Sequence, residues 1–388
     1  MEAAKIIRKS FKFRIYPSRA QTLILENTLD LCRELYNAAL QERRDAWNLN
    51  ETSISYFDQQ NQLPEIKKIR EDLKSVYSQV LCDVLKRCEK SFDGFFRRAK
   101  LKQKAGFPRF KGESGFDSFC YAQSGFSLDE NKLKLSKIGK IKVKLSREII
   151  GKVKTCTIKR EVGKWFVVFS VETFAEILPK TKEQIGIDAG IENFITLSDG
   201  TQIENFRFFE RTQKKLRVAQ RTVSRRKKYS NSWKKAKTQV SKIHAKIRNQ
   251  RNDFQHKIST NLVKDFDLIA IEKLNISGMS KGIFSKQIHD VAWSNFFSML
   301  RYKAECADKK LVEVNPNGTS QTCICGERVE KKLNIRTHHC DKCGYKNHRD
   351  IVSAQVILKL GLGHSLKDLT YLSRESVSLE SPLKTATV

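Results

Sequence analysis

An aspartate stands inside an apolar strand pattern near the middle of this chain. The segment IGIDAGIENFITLSDG (185–200) predicts two strands joined by a turn at Gly190, and Asp188 lies in the first of them. A carboxylate in a buried strand is costly unless a cation compensates its charge. The sequence therefore predicts that Asp188 either pairs with a buried Arg or Lys or contributes to a metal site.

Two further acids occupy comparable positions. LIAIE (268–272) is an apolar run that predicts a buried central strand ending in Glu272. Asp350 begins a helical pattern, DIVSAQVILKLG (350–361). Taken singly, Glu272 fits a solvated strand end paired with Lys273, and Asp350 fits an acid that the helix dipole favours. Neither acid alone indicates a site.

Together, the three acids follow a strand, strand and helix order that matches the layout of an RNase H-like nuclease core. Converging carboxylates raise one another's pKa unless metal ions bind between them. Mg²⁺ suits such a site, because a few carboxylates with water and phosphate oxygens satisfy this hard cation. Two such ions about 4 Å apart stabilise the attacking and leaving oxygens of a phosphodiester displacement. The pattern predicts a magnesium-dependent nuclease.

The ten cysteines divide into scattered and clustered ones. Four lie within 21 residues, as Cys323-Ile-Cys325 and Cys340-Asp-Lys-Cys343, and such clustering in a cytosolic chain indicates zinc rather than disulfides. The other six occur singly, mostly among apolar neighbours, which predicts reduced core thiols. These six are Cys32, Cys82, Cys88, Cys120, Cys156 and Cys306.

The charge balance restricts the partners of the chain. Its formal net charge is +31, from 74 Lys plus Arg against 43 Asp plus Glu in 388 residues. Such a surplus repels itself in a compact fold unless a polyanion neutralises it, and nucleic acid is the expected polyanion. A membrane surface is the weaker alternative, because no apolar run approaches the roughly 20 residues that span a bilayer. The amino-terminal MEAAKIIRKSFKF lacks the features of a signal peptide, which predicts a cytoplasmic, nucleoid-associated protein.

Two segments concentrate the positive charge. Residues 211–260 hold 17 Lys or Arg and one acid, Asp253, which indicates tracking of a phosphate backbone rather than a solvated face. FDGFFRRAKLKQKAGFPRFK (92–111) interleaves bases with aromatics, of which the first three phenylalanines are expected to pack in a helix core. The candidate nucleic-acid contacts are Lys100, Lys102, Lys104, Arg109, Lys111, Arg225, Arg226, Lys227, Lys228, Lys234, Lys235 and Lys237.

Strand and helix patterns predict an α+β, multidomain chain. A strand within 1–17 and the strands of 113–182, with a hairpin turning near Val162-Gly163, indicate a small antiparallel β-barrel. Helical periodicity over 18–112 indicates a helical insertion that splits this barrel.

The rest of the chain mixes strands with long helices. The ranges 183–318 and 346–362 hold the three acids and are expected to form one α/β nuclease domain. The cysteine-rich segment 319–345 is expected to be a zinc ribbon inserted into that domain. The tail 363–388 is rich in Ser, Thr and Leu with little periodicity, which predicts a disordered or flexible segment.

Four segments resemble the RuvC-type nuclease motifs and the interleaved zinc ribbon of the TnpB (OrfB) family: IGIDAGIENFITLSDG, LIAIEKLNISGM, NPNGTSQTCICG and HHCDKCGYKNHRDIVSAQVI. Members of that family are transposon-encoded RNA-guided DNA endonucleases related to the compact type V CRISPR effectors. SFKFRIYPSRAQTLILENTLDLCRELYNAAL and GFPRFK resemble the amino-terminal half of the family, so the likeness covers nearly the whole chain.

The resemblance implies roles for the residues that match. Asp188, Glu272 and Asp350 would be the catalytic acids of a RuvC-like site and would hold Mg²⁺, while the clustered cysteines would hold Zn²⁺. The split barrel would be the wedge domain and the helices the recognition domain. A guide RNA and a double-stranded DNA target beside a short adjacent motif would be the partners, and the activity would be that of a metal-dependent endodeoxyribonuclease.

Two departures from the family pattern carry expectations of their own. The first knuckle, Cys323-Ile-Cys325, is one residue shorter than usual, which predicts a strained zinc site or a ligand supplied by His338 or His339. His348 and Val352 flank the last acid where the family more usually has an acid and an Asn. Activity is still expected, because the Asp itself is retained.

Two alternatives remain open from the sequence. One is an RNA-guided DNA-binding regulator with an inactive nuclease, although the presence of all three acids argues against it. The other is a guide-independent nuclease or recombinase of the RuvC type. A single discrete RNA bound to the purified protein would exclude the second alternative.

Overall fold

The computed structural model describes residues 5–113, 115–331 and 335–365. The predicted flexible tail, 363–388, therefore lies almost entirely outside the described residues. The chain divides into two compact units, Met1–Phe174 and Ala175–Val388. None of the described helices has the length and apolar composition that a membrane crossing requires.

The first unit is a seven-stranded antiparallel sheet with helices inserted between its first and second strands. The strands are β1 (Ile6–Tyr16), β2 (Ser118–Tyr121), β3 (Phe126–Asp129), β4 (Lys132–Leu135), β5 (Gly139–Lys144), β6 (Lys152–Glu161) and β7 (Lys164–Phe174). The helices are α1 (Arg19–Asn50), α2 (Tyr56–Ile69) and α3 (Ser78–Lys100), with a short 3₁₀ helix at Glu71–Ser75. The strand order is β2-β6-β7-β1-β5-β4-β3.

The predicted interruption of a sheet by helices is confirmed, and the sheet is a curled half-barrel. Strands β2 and β3 lie at its two edges, so the strand order does not close into a complete barrel. The predicted hairpin is also confirmed: β6 and β7 are joined by Val162 and Gly163. Their φ angles of 49° and 71° match a two-residue type I′ turn, whose twist suits antiparallel strands.

One apolar core joins this sheet to its helices. Alternate residues of β1 point inward, and Phe13 and Ile15 are buried against Phe169 of the neighbouring strand β7. Leu29 of α1 and Leu81 of α3 belong to the same buried cluster. Helices α1 and α3 therefore pack on the sheet through their apolar faces, as the helical periodicity requires.

The aromatic residues at the end of α3 do not all belong to that core. Phe96 is 61% exposed, so the expectation of core packing is wrong for this residue. The reason is that the fully buried positions of α3 end at Cys88, two turns earlier. Phe92 and Phe95 are half-buried, and Phe92 packs against the core as expected. Both rings also contact the ring of Phe107, with ring centres 5.5 and 5.4 Å apart.

The six scattered cysteines are free thiols, as predicted. Four are buried, and Cys82 and Cys306 are half-buried. Burial raises the pKa of Cys32 to about 12 and that of Cys88 to about 11. These thiols therefore stay protonated at neutral pH and behave as small apolar side chains.

The second unit is built on a five-stranded mixed sheet. Its strands are β8 (Gln184–Asp188), β9 (Asn193–Leu197), β10 (Gln202–Glu204), β11 (Leu268–Glu272) and β12 (Lys310–Val314), and β13 (Thr337–His339) and β14 (Lys346–His348) form a separate hairpin. Its helices are α4 (Phe208–Ser224), α5 (Asn231–Asp265), α6 (Ile276–Met279), α7 (Ser285–Val291), α8 (Trp293–Ala307) and α9 (Arg349–Gly361). The strand order is β10-β9-β8-β11-β12. Strands β8, β11 and β12 are parallel to one another, and β9 is antiparallel to both of its neighbours, β8 and β10.

Helices cover both faces of this sheet, which explains the unbroken apolar run of β11. Ile269 and Ile271 pack with residues of α5 and α8, including Phe296. Leu268 and Ala270 point to the opposite face, where they pack with Ile357 of α9. A parallel strand buried on both faces needs apolar residues at every position, because its side chains alternate between the two layers.

Candidate functional site

The three acids lie at one edge of the sheet of the second unit. Strands β8 and β11 are parallel, with Ile187 opposite Ile271, so the next residues, Asp188 and Glu272, end neighbouring strands side by side. Asp350 lies in the first turn of α9, the helix that packs against β8 and β11. Carboxyl ends of parallel strands share one edge of a sheet, where α/β folds commonly place their sites.

Burial and mutual repulsion make negative charge costly at this edge of the sheet. Burial, followed by the charges of Glu272 and Asp350, raises the pKa of Asp188 well above its ordinary value, and Arg349 opposes this only in part. Burial also raises the pKa of Glu272, against a hydrogen bond donated by the Thr319 hydroxyl. The raised pKa values of Asp188 and Glu272 therefore favour a bound proton or cation at this edge.

Asp350 has a basic neighbourhood that the sequence did not indicate. The Arg336 guanidinium lies 3.8 Å from its carboxylate and also pairs with Glu192 at 2.6 Å. The Nδ1 atom of His348 accepts a hydrogen bond from the backbone N–H of Asp350 at 3.3 Å, so His348 caps helix α9. His348 is thus the N-cap residue of α9 and stabilises the first turn, which carries Asp350.

Glycine at position 186 lets α9 approach the sheet closely. A Cβ atom there would come within 2.1 Å of the Ala354 carbonyl oxygen and 2.8 Å of the Leu358 Cβ atom. Such contacts cannot be absorbed by a flexible side chain, because one of them is to backbone. The short distance between strand and helix is what places Asp350 beside Asp188.

Replacing Gly186 with alanine should therefore destabilise the second unit. We expect a loss of about 1–3 kcal/mol in the free energy of unfolding, the usual cost of overpacking, measured by urea denaturation. Gly282→Ala is the matched control, because its Cβ would meet only the Met279 carbonyl oxygen, at 3.5 Å. That control should change stability by less than about 0.5 kcal/mol. Equal stability of Gly186→Ala and wild type would contradict the close approach of α9.

The four clustered cysteines form a compact group. Their sulfur atoms all lie within 4.8 Å of one another, and no other His, Cys, Asp or Glu group in the described ranges is as tight. The Sγ atoms of Cys323 and Cys343 are 3.6 Å apart, and those of Cys325 and Cys340 are 3.7 Å apart. Four sulfurs at Zn–S bonds of about 2.3 Å have tetrahedral edges of about 3.8 Å. The group can hold a metal ion of that kind.

The two knuckles reach this geometry by turns of different length. In the second, the Gly344 N–H donates to the Cys340 carbonyl at 2.8 Å, four residues back. In the shorter first knuckle, the Gly326 N–H donates to the Cys323 carbonyl at 2.9 Å, three residues back, with Gly326 in the left-handed region. A tighter turn thus replaces the missing residue and still brings both sulfurs inward.

Neither histidine that could have replaced a cysteine joins the group. His338 is fully buried, and its Nδ1 atom contacts the Lys331 ammonium. His339 is exposed and lies 3.4 Å from Asp341. Burial raises the pKa of the Cys340 thiol, but backbone N–H groups of Cys343 and Lys342 outweigh it and leave that pKa below its ordinary value. Hydrogen bonds of this kind stabilise a thiolate, which is the form that binds metal.

The basic candidate residues lie in both units. Lys100, Lys102, Lys104 and Arg109 are exposed at or after the end of α3 in the first unit, and Lys111 is half-buried there. The Asn37 side chain accepts a hydrogen bond from the Lys111 N–H at 2.8 Å and donates one to the Lys111 carbonyl at 3.0 Å. These two bonds hold the segment that follows α3 against helix α1. The other seven lie where α4 meets α5, and none of them forms an ion pair with a described residue. They are Arg225, Arg226, Lys227, Lys228, Lys234, Lys235 and Lys237.

Three family descriptions match the chain. A "Probable transposase" family matches residues 163–282, a "Cas12f1-like, TNB domain" family matches 293–357, and a "Helix-turn-helix domain" family matches 1–52. The second range contains the four cysteines and the start of α9. The third range contains strand β1 and the whole of helix α1. These matches define a class of transposon-encoded proteins.

Relatives that align over nearly the whole chain identify the family more specifically. The chain is 34% identical to the "Putative RNA-guided DNA endonuclease" of Streptomyces pristinaespiralis, over 92% of this chain and 90% of that one. It is 32% identical to "Putative RNA-guided DNA endonuclease InsQ" of Escherichia coli (strain K12), over 91% and 92%. The chain belongs to the TnpB (OrfB) family.

A solved structure also resembles the chain at the level of general shape. It is the cryo-EM structure of CasPhi-2 (Cas12j) bound to crRNA, with 12% identity and a TM-score of 0.48, covering 94% of this chain and 100% of that one.

Proposed function

We propose that this protein is an RNA-guided DNA endonuclease that hydrolyses target DNA at a RuvC-like, magnesium-dependent site. The observation that carries the proposal is the meeting of Asp188, Glu272 and Asp350 at one sheet edge, where Asp188 is destabilised as a charge. Membership in a family whose relatives bear the name RNA-guided DNA endonuclease supplies the guide and the target.

The three acids fit Mg²⁺ by the chemistry of their donor atoms. All three offer carboxylate oxygens, and their repulsion is what a divalent cation would relieve. Mg²⁺ keeps several of its waters and uses few protein ligands, so three carboxylates at one sheet edge are enough for it, and it prefers their oxygens to the sulfurs of the cysteine group. Asp188, Glu272 and Asp350 would hold the Mg²⁺, which would supply polarisation of the scissile phosphate and activation of the attacking water.

The residues around the acids hold them in place for that chemistry. Thr319 donates a hydrogen bond to the Glu272 carboxylate and fixes its orientation. His348 caps the helix turn that carries Asp350. Arg336 lies near the Asp350 carboxylate and is half exposed, so it can attract a phosphate group as well as an acid.

We propose a structural zinc ion at Cys323, Cys325, Cys340 and Cys343. Four thiolate ligands leave no open coordination position, and closed sites of this kind stabilise folds rather than catalyse reactions. Cys340 and Cys343 lie between β13 and β14, and α9 begins at the residue after β14. Zinc would thereby hold the start of the helix that carries Asp350.

The remaining assignments follow the family. The half-barrel, from 1–17 and 113–182, would be a wedge domain, and the helices of 18–112 a recognition domain. The ranges 183–318 and 346–362 would form the RuvC-like domain, with the ribbon at 319–345. The basic candidates of both units would contact guide RNA and target DNA in the cytoplasm or nucleoid. Their support is the exposure of all of them except Lys111, which is half-buried.

The test of the function is a cleavage assay on the protein purified with its bound RNA. Sequencing that RNA identifies the guide, and duplex DNA matched to it should be cut in Mg²⁺ but not in EDTA. Binding of the matched DNA without cutting in Mg²⁺ or Mn²⁺ would favour an inactive DNA-binding regulator. Cutting by RNA-free protein would favour a guide-independent nuclease.

Magnesium should also change the stability of the folded protein. The raised pKa of Asp188 means that the folded chain binds a proton that the unfolded chain releases, so metal-free stability falls as pH rises above about 4. Glu272, Asp350 and Arg349 are the charged groups that act on it. At about pH 7.5, Mg²⁺ at about ten times its Kd should add about 1.4 kcal/mol to the free energy of unfolding and raise the unfolding temperature.

The variant Asp188→Asn separates this effect from unspecific salt stabilisation. It removes the buried charge while it keeps the size of the side chain, so metal-free protein should unfold at a higher temperature than wild type. Its shift on addition of Mg²⁺ should be smaller than that of wild type. A Mg²⁺ shift of wild-type size in Asp188→Asn would show that the ion binds elsewhere.

A further inference from the structure

The α4–α5 hairpin extends beyond the core of the second unit. Leu216 is the last buried residue of α4 and Ile247 the first of α5, and between them no residue from 217 to 246 is buried. Helices of this length normally bury an apolar stripe, since packing rather than propensity provides most of their stability. The distal part of the hairpin, residues 217–246, therefore has a surface that fold stability alone does not explain.

Two aromatic residues lie at the tip of this hairpin. Tyr229, in the connection between the helices, is 64% exposed. Its ring centre lies 5.7 Å from that of Trp233 in the first turn of α5, at an interplanar angle of 58°. The Lys228 ammonium lies 5.0 Å from the Tyr229 ring centre, and the Lys237 ammonium lies 5.0 Å from that of Trp233. Rings and cations alternate around the tip.

The backbone at Tyr229 is in the left-handed region, with a φ of 70°. A bulky side chain is disfavoured there, whereas glycine adopts this conformation without a steric penalty. Tyr229 buries little surface in return, because most of its side chain faces solvent. The tyrosine thus costs the fold something that glycine would not, which points to a contact made outside the folded chain.

The charge around the two rings identifies the chemistry of that contact. The segment from 211 to 252 contains no Asp or Glu. The seven basic residues of the tip form no ion pair within the described part of the chain. An exposed tyrosine ring beside a half-buried tryptophan ring, both set among unpaired cations, matches the surfaces that bind single-stranded nucleic acid, where bases stack on aromatics and cations follow the phosphates.

We infer that the tip of the α4–α5 hairpin, residues 225–237, is a stacking site for unpaired nucleotides of an RNA. Tyr229 and Trp233 receive a base, and the surrounding cations hold the phosphates on either side of it. Duplex DNA hides its base faces in the stack, whereas folded RNA presents them in loops and bulges. An RNA that stays bound also offsets the charge of the hairpin permanently, which a transiently displaced DNA strand does not. The inference rests on the proposed function only for the source of the RNA, the guide.

The test measures binding of a fluorescein-labelled single-stranded RNA of mixed sequence, about 20 nucleotides long as in a guide segment, to the full-length protein. Tyr229→Gly should weaken binding between about 5-fold and 150-fold, the range for loss of one stacked base. The slope of log K against log salt, from about 50 to 200 mM, should not change, because no charge is removed. Lys234→Ala should instead lower that slope by about 0.7. Tyr229→Phe should bind as wild type does.

Stability supplies the second measurement. Tyr229→Gly relieves the left-handed φ, so its unfolding temperature should equal or exceed that of wild type, and weaker binding then cannot come from misfolding. Wild-type RNA affinity in Tyr229→Gly overturns the inference. Equal losses on single-stranded RNA and on an RNA duplex of the same length overturn it too, as does a loss confined to single-stranded DNA. These outcomes are separate from the proposed nuclease function, which is decided by cutting of guide-matched DNA by wild type.

Discussion

Replacing Asp188 with alanine is expected to lower the rate of DNA cleavage by about 10³-fold or more while leaving binding of RNA and target DNA near the wild-type level. Asp188 is half-buried at the end of β8, and its desolvation together with the charges of Glu272 and Asp350 raises its pKa. Its loss removes a metal ligand, and about 4 kcal/mol of metal-assisted transition-state stabilisation corresponds to that factor in rate. The rates of wild type and Asp188→Ala are compared by single-turnover cleavage of matched DNA.

The control for this experiment is an acid of the same sheet that takes no part in the site. Glu204 is exposed on the edge strand β10, and Glu204→Ala should cut DNA at the wild-type rate. Binding should be measured in parallel by gel shift, since a change in DNA affinity alone would also slow cutting. If Asp188→Ala cut as fast as wild type, the RuvC-like assignment of the three acids would be wrong.

Loss of the zinc site should have the largest effect on local stability. Cys340→Ser removes one of four sulfurs and should lower the zinc content from about one ion per chain to nearly none. Zinc-dependent folds gain about 10 kcal/mol or more from the metal, so the β13–β14 hairpin should lose its protection from hydrogen exchange. Cleavage should fall as well, because α9 and Asp350 follow β14 directly.

Two matched variants sharpen this result. Cys82→Ser alters a half-buried thiol outside the group and should keep one zinc per chain. His338→Gln should keep it too, since His338 contacts Lys331 rather than the sulfurs. A protein that lost zinc in His338→Gln but kept it in Cys323→Ser would reverse the assignment and restore histidine as the ligand of the shorter knuckle.

Several features of this protein followed from local chemistry in the sequence. An apolar strand that contains an acid, a second that ends in one, and four cysteines in a short segment are each recognisable because their cost or reactivity does not depend on distant contacts. The hairpin at Val162 and Gly163 is similar, since strand alternation and a short turn are both local. The resemblance to the TnpB family rested on these same motifs and is confirmed by the whole-chain relatives.

Other features depended on the backbone conformation or the burial that each segment adopts in the fold, and these could not be predicted from residue types and spacing. The shorter knuckle suggested strain, but a tighter turn through Gly326 brings its two sulfurs into the group. His348 looked like a departure from a motif, and it proved to be the cap of α9. Phe96 was expected in the core, but the buried face of α3 ends before it.

The sequence by itself determined which side chains are available for chemistry: three acids on apolar elements, four clustered cysteines and a large excess of cations. Only the tertiary structure decided that Asp188 and Glu272 end adjacent parallel strands, and that Gly186 lets α9 bring Asp350 to the same edge. It also exposed Tyr229 at the tip of a hairpin without a core. The physical reason is that burial and mutual repulsion depend on distances in space, which strand register and helix packing set between residues far apart in the chain.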